Sequence, residues 1–289
     1  MKHYKKVVAL TIIALTIVGF IYYFVAHPNT LDSLKNLSVI NIALILFLYF
    51  LVLLILVLIL KVSLALYEKH IDNLENLQLN IWSNIVNFFG PLQSGPGVRA
   101  LYLKKKHGLN LRKFLYVSLI YYAFIAVVSC ILIGIGSFAW YIALSFIILC
   151  LGSLYLGFRI MTKKINTEDK PKLKFKLIGL LFLITLAQLL ITSLIYLIEL
   201  KIVNKSISYN QVMTYTGVAN LALFVSITPG AIGFRESFLL FTQRLHHIRA
   251  SNIISASLID RSVYLVFLFI LILVAASMHI GNKIKSTKE

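Results

Sequence analysis

Six apolar stretches in this 289-residue chain are about twenty residues or longer: 7–26, 39–66, 114–136, 138–158, 177–200 and 253–280. About twenty helical residues cross the roughly 30 Å hydrocarbon core of a bilayer. Inside that core each backbone N–H and C=O must find its partner within the protein, which leaves helices as the natural form for isolated apolar runs. The chain is therefore predicted to be an all-α polytopic membrane protein with six transmembrane helices. Its composition agrees: 60% of residues are hydrophobic and the mean hydropathy is +0.89, against about 45–50% apolar residues in soluble domains. The first stretch follows Lys2, Lys5 and Lys6. It is longer than the core of a secretory signal and reads as an uncleaved span.

Two further apolar stretches, 79–103 and 211–248, are interrupted. The first breaks at Pro91-Leu92-Gln93-Ser94-Gly95, followed by Gly97 and Arg99; the second breaks at Pro229-Gly230-Ala231-Ile232-Gly233, followed by Arg235 and Glu236. The two prolines stand 138 residues apart. The span centres near 17, 53 and 125 recur near 148, 188 and 266, which brackets the same offset. Each half reads span, span, elbow, span. Three crossings is an odd number, so the second half is expected to be inverted. Residues 1–136 form one repeat, with its elbow at 87–99. Residues 137–289 form the other, with its elbow at 228–236. Both belong to one integral domain holding two re-entrant or broken helices. Interrupted helices at matching positions of inverted repeats mark transporter-type sites near the bilayer midplane.

The net charge of +18 arises from 28 Lys and Arg against 10 Asp and Glu. These cations sit in short segments between apolar runs. No soluble basic domain and no nucleic-acid-reading motif accompanies them, so nucleic acid is not expected as a partner. With the N-terminus in the cytoplasm and six crossings, twenty of the cations fall on the cytoplasmic side and six on the other. Basic residues favour the cytoplasmic face, so both termini are placed there, in a cytoplasmic (inner) membrane. The first elbow then dips from the cytoplasm and the second from outside. A second-elbow segment that crosses twice leaves the same ends and stays open as an alternative. Basic loops at the surface attract anionic lipid at about 1 kcal/mol per residue.

Broken helices expose N–H groups that suit an anion, and in a bilayer the obvious anion is a lipid phosphate. Gly95, Gly97, Gly230 and Gly233 allow close approach at the elbows. Arg99 and Arg235 follow Pro91 and Pro229 with forks that fit phosphate; Arg99 reads equally as a cytoplasmic anchor beside Lys104-Lys105-Lys106. Glu236, Asp260 and Arg261 are the deepest ionisable residues. They read either as a packing salt bridge or as headgroup and proton-coupling groups, since charge at that depth is expensive. Asp260 and Arg261 are adjacent and point to different helix faces, so they are not expected to pair with each other. Asn84, Asn87, Asn220 and Thr228 are candidates to line one cavity or to bond between helices; Gln188 and Glu199 are weaker ones. Cys130 and Cys150 fall in apolar runs and read as buried small hydrophobes. His246-His247 diverge on a helix, and no metal or other cofactor is expected. Nucleophile elbow, P-loop and dinucleotide fingerprint are all absent. An enzyme reading would rest on Glu236 alone.

Residues 87–101, Asn-Phe-Phe-Gly-Pro-Leu-Gln-Ser-Gly-Pro-Gly-Val-Arg-Ala-Leu, resemble the first signature of the lysylphosphatidylglycerol synthase transmembrane, flippase-like family. Residues 228–237, Thr-Pro-Gly-Ala-Ile-Gly-Phe-Arg-Glu-Ser, resemble its second signature, and Arg261 and Tyr264 in Asp-Arg-Ser-Val-Tyr a weaker third. The resemblance departs at Pro96, where relatives often carry an acidic residue, and at Ala231, where glycine is common. It implies a polytopic membrane domain that moves a lipid between leaflets. In multidomain relatives a separate soluble domain attaches the amino acid. The sequence reaches Glu289 without such a domain, so the synthase activity is not carried over. The expected function is translocation of an anionic phospholipid or a polyprenyl-phosphate lipid. The expected partners are anionic membrane lipids, with a lipid-modifying enzyme or a second copy as further ones. The alternatives are an accessory subunit of a lipid or envelope glycosyltransferase, and a membrane-embedded transferase.

Overall fold

A computed structural model of the chain describes residues 37–90, 94–137, 174–224, 228–231 and 233–286, together with single positions between 18 and 25 and between 140 and 159. The spans expected at 7–26 and 138–158 lie outside these residues apart from those single positions, as do Pro91 and Cys150. Each element described from residue 37 onward is a helix: α1 (Val39–Ala65), α2 (Asn73–Phe89), α3 (Gly95–His107), α4 (Leu111–Ser137), α5 (Phe175–Val203), α6 (Tyr209–Phe224), a 3-10 turn (Pro229–Ala231), α7 (Phe234–Phe241), α8 (Gln243–His246) and α9 (Ala250–Ser286).

Four of these helices are long and apolar enough to cross a membrane: α1, α4, α5 and the Ala250–Met278 part of α9, each 27 or 29 residues. At 1.5 Å per residue that is about 40 Å. Their outer faces stay apolar where a soluble protein would turn polar. Phe47, Phe50 and Leu54 on α1, Leu183, Leu190 and Leu194 on α5, and Phe269 and Leu273 on α9 are all exposed. A helix that is hydrophobic all round belongs in lipid or a deep core. The inner faces of α1, α2, α5 and α9 interlock through Ile45, Leu53, Ile85, Phe88, Ile195, Ile259 and Phe267.

Local chemistry sets the ends of the shorter helices. Asp72 caps α2 by accepting from the Leu74 N–H at 2.9 Å. Gly108, in the left-handed conformation, closes α3 after Lys104, Lys105, Lys106 and His107, a last turn whose positive charge complements the helix dipole. Glu75 in the first turn of α2 meets His107 at 2.7 Å and Lys106 at 3.0 Å and accepts from Tyr102 at 2.7 Å. Partial burial works against its charged form, yet these three hydrogen bonds outweigh burial and hold the carboxyl down at about 2. The cluster clasps the open ends of α2 and α3 together, so these two helices form a hairpin with the first elbow at its tip.

The first arm of each hairpin ends level with the middle of a long helix. Phe224, the last residue of α6, packs edge-on against Tyr122 near the middle of α4, with ring centroids 5.8 Å apart. Phe88, next to last in α2, packs on Tyr264 near the middle of the apolar part of α9 at 5.5 Å. The two tips also touch each other: a Cβ added at Gly230 would stand 3.2 Å from the Phe88 carbonyl oxygen. The order of long helix, arm, break, arm, long helix occurs twice. Helix starts at 39, 73, 95 and 111 recur at 175, 209, 234 and 250, 136 to 139 residues on. The last long helix of each set packs on the first arm of the other, α4 on α6 and α9 on α2.

Helices α4 and α6 approach to backbone contact. A Cβ at Gly217 would stand 2.4 Å from the Ser129 carbonyl oxygen, and one at Gly136 would stand 2.3 Å from the Asn210 carbonyl oxygen. Small residues let membrane helices approach to backbone contact. Gly217→Val should therefore destabilise the fold by about 1–3 kcal/mol, the usual cost of overpacking, seen as a lowered thermal midpoint in mild detergent. Gly97→Ala, where nothing lies within 4 Å, should leave the midpoint unchanged.

Candidate functional site

Two chambers flank the meeting point of the elbows, and Asn87 and Leu223 line both. The first encloses about 210 Å³ among Tyr49, Tyr196, Thr228, Gly230, Arg235, Asp260, Arg261 and Tyr264. The second encloses about 220 Å³ among Ser83, Asn84, Arg99, Tyr121, Tyr122, Gln188, Asn220 and Phe224.

The first chamber is walled by matched charges. Arg235 on α7 donates to Asp260 on α9 at 2.5 Å, to Ser257 at 3.3 Å and to the Tyr196 hydroxyl at 3.3 Å. Only its Nε, 3.8 Å from Glu236 Oε1, lacks a hydrogen bond. Arg261, one residue after Asp260, turns to another helix face and donates twice to Glu236, at 2.8 and 3.2 Å. It also donates to the elbow carbonyls of Gly230 at 2.7 Å and Ala231 at 3.3 Å. Asp260 and Arg261 thus do not pair with each other, as their adjacency implied; each takes a partner on α7. The other Glu236 oxygen accepts from the Gly233 N–H at 2.8 Å, half of a capping box that starts α7. Ser257 donates to Glu236 as well, so both of its oxygens are engaged. All four charged residues are at most 8% exposed.

This arrangement alters the roles expected of several residues. The second elbow turns carbonyls, not amides, toward a guanidinium, and that guanidinium belongs to the protein. Ala231 holds φ +57 there, a left-handed conformation that an alanine adopts at a cost of about 1–2 kcal/mol. In the first elbow the Gly95 N–H donates to Asn87 Oδ1 at 3.2 Å. Arg235 and Arg261, expected at an anion site, each already face a carboxylate. Gly97 and Gly233 have nothing within 4 Å of a built Cβ. Pro229 opens the 3-10 turn.

The second chamber holds a cation of a different kind. Arg99 on α3 donates to Asn80 Oδ1 at 3.2 Å, and its buried Nε has no partner. It makes no salt bridge among the described residues. Asparagines of α2 support it in a ladder. Asn76 donates to the Val57 carbonyl on α1 at 2.9 Å, Asn80 to Asn76 Oδ1 at 2.8 Å, and Asn84 to the Asn80 carbonyl at 2.8 Å. Tyr264 reaches Asn84 Oδ1 at 3.4 Å and so links the ladder to α9. Tyr121 donates to Gln188 Oε1 at 2.9 Å across the chamber. Sequence reasoning found Asn84, Asn87 and Asn220 but passed over Asn76 and Asn80. Their i, i+4 spacing ahead of Asn84 was the available signal. It missed Tyr49, Tyr196 and Ser257, whose residue types carry no such mark.

The profile of one family, described as the lysylphosphatidylglycerol synthase TM region, matches residues 6–272, nearly the whole chain. The chain belongs to this family. No curated protein matches it. As a member of the lysylphosphatidylglycerol synthase TM region family with four membrane-length helices in the described residues, it is an integral multi-pass membrane protein of a kind related to lipid handling.

Removing one member of a buried ion pair strands the other and costs about 3–5 kcal/mol. Glu236→Gln should therefore lower the thermal midpoint sharply, because Arg261 then keeps only carbonyl partners. Asn220→Ala, in the second chamber, should leave the midpoint close to that of the parent.

Proposed function

We propose that this protein translocates an anionic lipid, a phospholipid or a polyprenyl phosphate, across the cytoplasmic membrane, and that the second chamber receives the phosphate. The observation that carries this reading is Arg99. It is the charged residue of that chamber and stands without a carboxylate, while the two arginines of the neighbouring chamber are matched. An unmatched, partly buried guanidinium attracts an anion strongly, by about 4 kcal/mol at 4 Å for an effective dielectric constant near 20. Its fork binds phosphate oxygens bidentately. Asn84, Asn87, Gln188 and Asn220 supply amides around it. The chamber has room for a headgroup and not for acyl chains, which would stay in the bilayer beyond the exposed faces.

The architecture supports transport through its symmetry of contact. The recurring helix order, the exchange of long-helix and arm contacts between the two sets, and elbows that meet beside the middle of the long helices all suit an inverted repeat of six spans with two re-entrant segments. Both termini in the cytoplasm, with the Lys104–Lys106 cluster at the base of the first hairpin, suit the charge distribution. The transferase alternative needs a free carboxylate at Glu236, and both of its oxygens are engaged. A membrane-lipid partner fits the site better than a protein partner, because the unmatched charge faces a chamber.

The test is reconstitution with headgroup-labelled phosphatidylglycerol. A charge-assisted hydrogen bond is worth about 1.5–3 kcal/mol, and each 1.4 kcal/mol is tenfold. Arg99→Ala should thus slow leaflet exchange at least about tenfold at unchanged thermal midpoint, and Arg99→Lys should restore part of it. Unchanged exchange in Arg99→Ala would refute the assignment.

A further inference from the structure

Charge in the first chamber does not balance. Two guanidiniums, Arg235 and Arg261, meet two carboxylates, Asp260 and Glu236. A third carboxyl, Glu199 on α5, is buried beside them at 1% exposure and forms no salt bridge among the described residues. Its Oε1 receives no hydrogen bond from any protein donor. Glu199 lies within hydrogen-bonding range of the Asp260 carboxyl. Asp260 in turn accepts from Tyr49 of α1 and from Arg235 of α7. Burial and a neighbouring carboxyl both disfavour a further negative charge at Glu199, which has no cation of its own. A metal ion can join carboxylates, yet no group of three His, Cys, Asp or Glu side chains stands together among the described residues to hold one.

We infer that Glu199 and Asp260 form a proton-binding site, with Glu199 carrying an exchangeable proton that it donates to Asp260. This deepens the translocation reading and rests on it only for its role in coupling. The groups that face Glu199 come from each side: Tyr49 on α1, Tyr196 on its own helix, Tyr215 on α6, Arg235 on α7 and Asp260 on α9. Helix α4 also packs on α5, but near Glu199 it does so through apolar side chains such as Ala126, Cys130 and Ile133; its titratable Tyr121 meets α5 at Gln188, about three turns away. When that proton leaves by way of Asp260, which lines the chamber, Glu199 becomes a carboxylate and competes with Asp260 for Arg235. Arg235 sits directly behind the second elbow, so loss of the proton loosens the hold of α9 on α7. Proton return restores it. No bond other than O–H forms or breaks in the cycle.

Glu199→Gln is the variant to use, because an amide keeps the shape and can still donate to Asp260. Infrared spectra of the protein in lipid nanodiscs at neutral pH read the proton directly. The parent should show a buried carboxylic-acid carbonyl band that shifts in D₂O, and Glu199→Gln should lose it. Identical spectra for the two proteins would overturn the site. In proteoliposomes with headgroup-labelled phosphatidylglycerol, an imposed pH gradient should accelerate exchange by the parent. Glu199→Gln should still retain phosphatidylglycerol in native mass spectrometry but lose the acceleration. Acceleration that survives in Glu199→Gln, or that a sodium gradient reproduces, would overturn the coupling. If neither protein exchanges lipid under any gradient, the translocation reading fails, and the infrared band still decides whether Glu199 holds the proton.

Discussion

The Arg261 guanidinium binding the second elbow is the interaction on which the rest depends. An arginine at the centre of a membrane helix is unfavourable by about 3 kcal/mol on insertion scales, and a bent, non-helical backbone at that depth leaves carbonyls without partners. Arg261 offsets both problems at once. Its fork takes the Gly230 and Ala231 carbonyls on one side and the Glu236 carboxylate on the other. Glu236 in turn caps the helix that leaves the elbow. The break is thereby fixed against α9, and Ala231 is held in a conformation that it would not adopt alone.

With the second elbow pinned, the first is positioned by contact. Gly230 lies against Phe88, and Phe88 lies against Tyr264, three residues beyond Arg261. The tips of two hairpins that run alongside long helices therefore share one wall. The chambers on its two sides differ in electrostatics. On one side the cations are neutralised within the protein. On the other, Arg99 rests on an asparagine ladder that orients it without cancelling its charge. Asparagine amides are suited to this, because they accept from a guanidinium and remain neutral. The arginines behind the two elbows thus differ in their partners: Arg235 faces a carboxylate, and Arg99 faces an amide.

Much of the fold was legible in the sequence because bilayer thickness and backbone pairing are severe constraints. Four of the expected spans return as long helices with apolar outer faces, and both proline-glycine elbows return as breaks between shorter arms. The site was legible only in outline. Arg99, Arg235, Glu236, Asp260 and Arg261 stand out as charges in apolar surroundings, but which pairs form depends on helix rotation, and that is set by packing between helices far apart in sequence. Tyr49 reaches Asp260 across 211 residues, and no local pattern encodes that. Glu199 reads from the sequence only as a weaker candidate on its span. Its burial arises from α1, α6 and α9 closing around it, which the α5 sequence by itself does not specify.

The most direct measurement is an experimental structure of the protein in nanodiscs containing a short-chain anionic phospholipid. The account requires phosphate density against the Arg99 guanidinium, between the two elbows and beside Asn84 and Asn220, with Arg235 and Arg261 still on their carboxylates. Phosphate density on Arg235 or Arg261 instead, or Arg99 turned outward onto a carboxylate with its chamber empty, would contradict it.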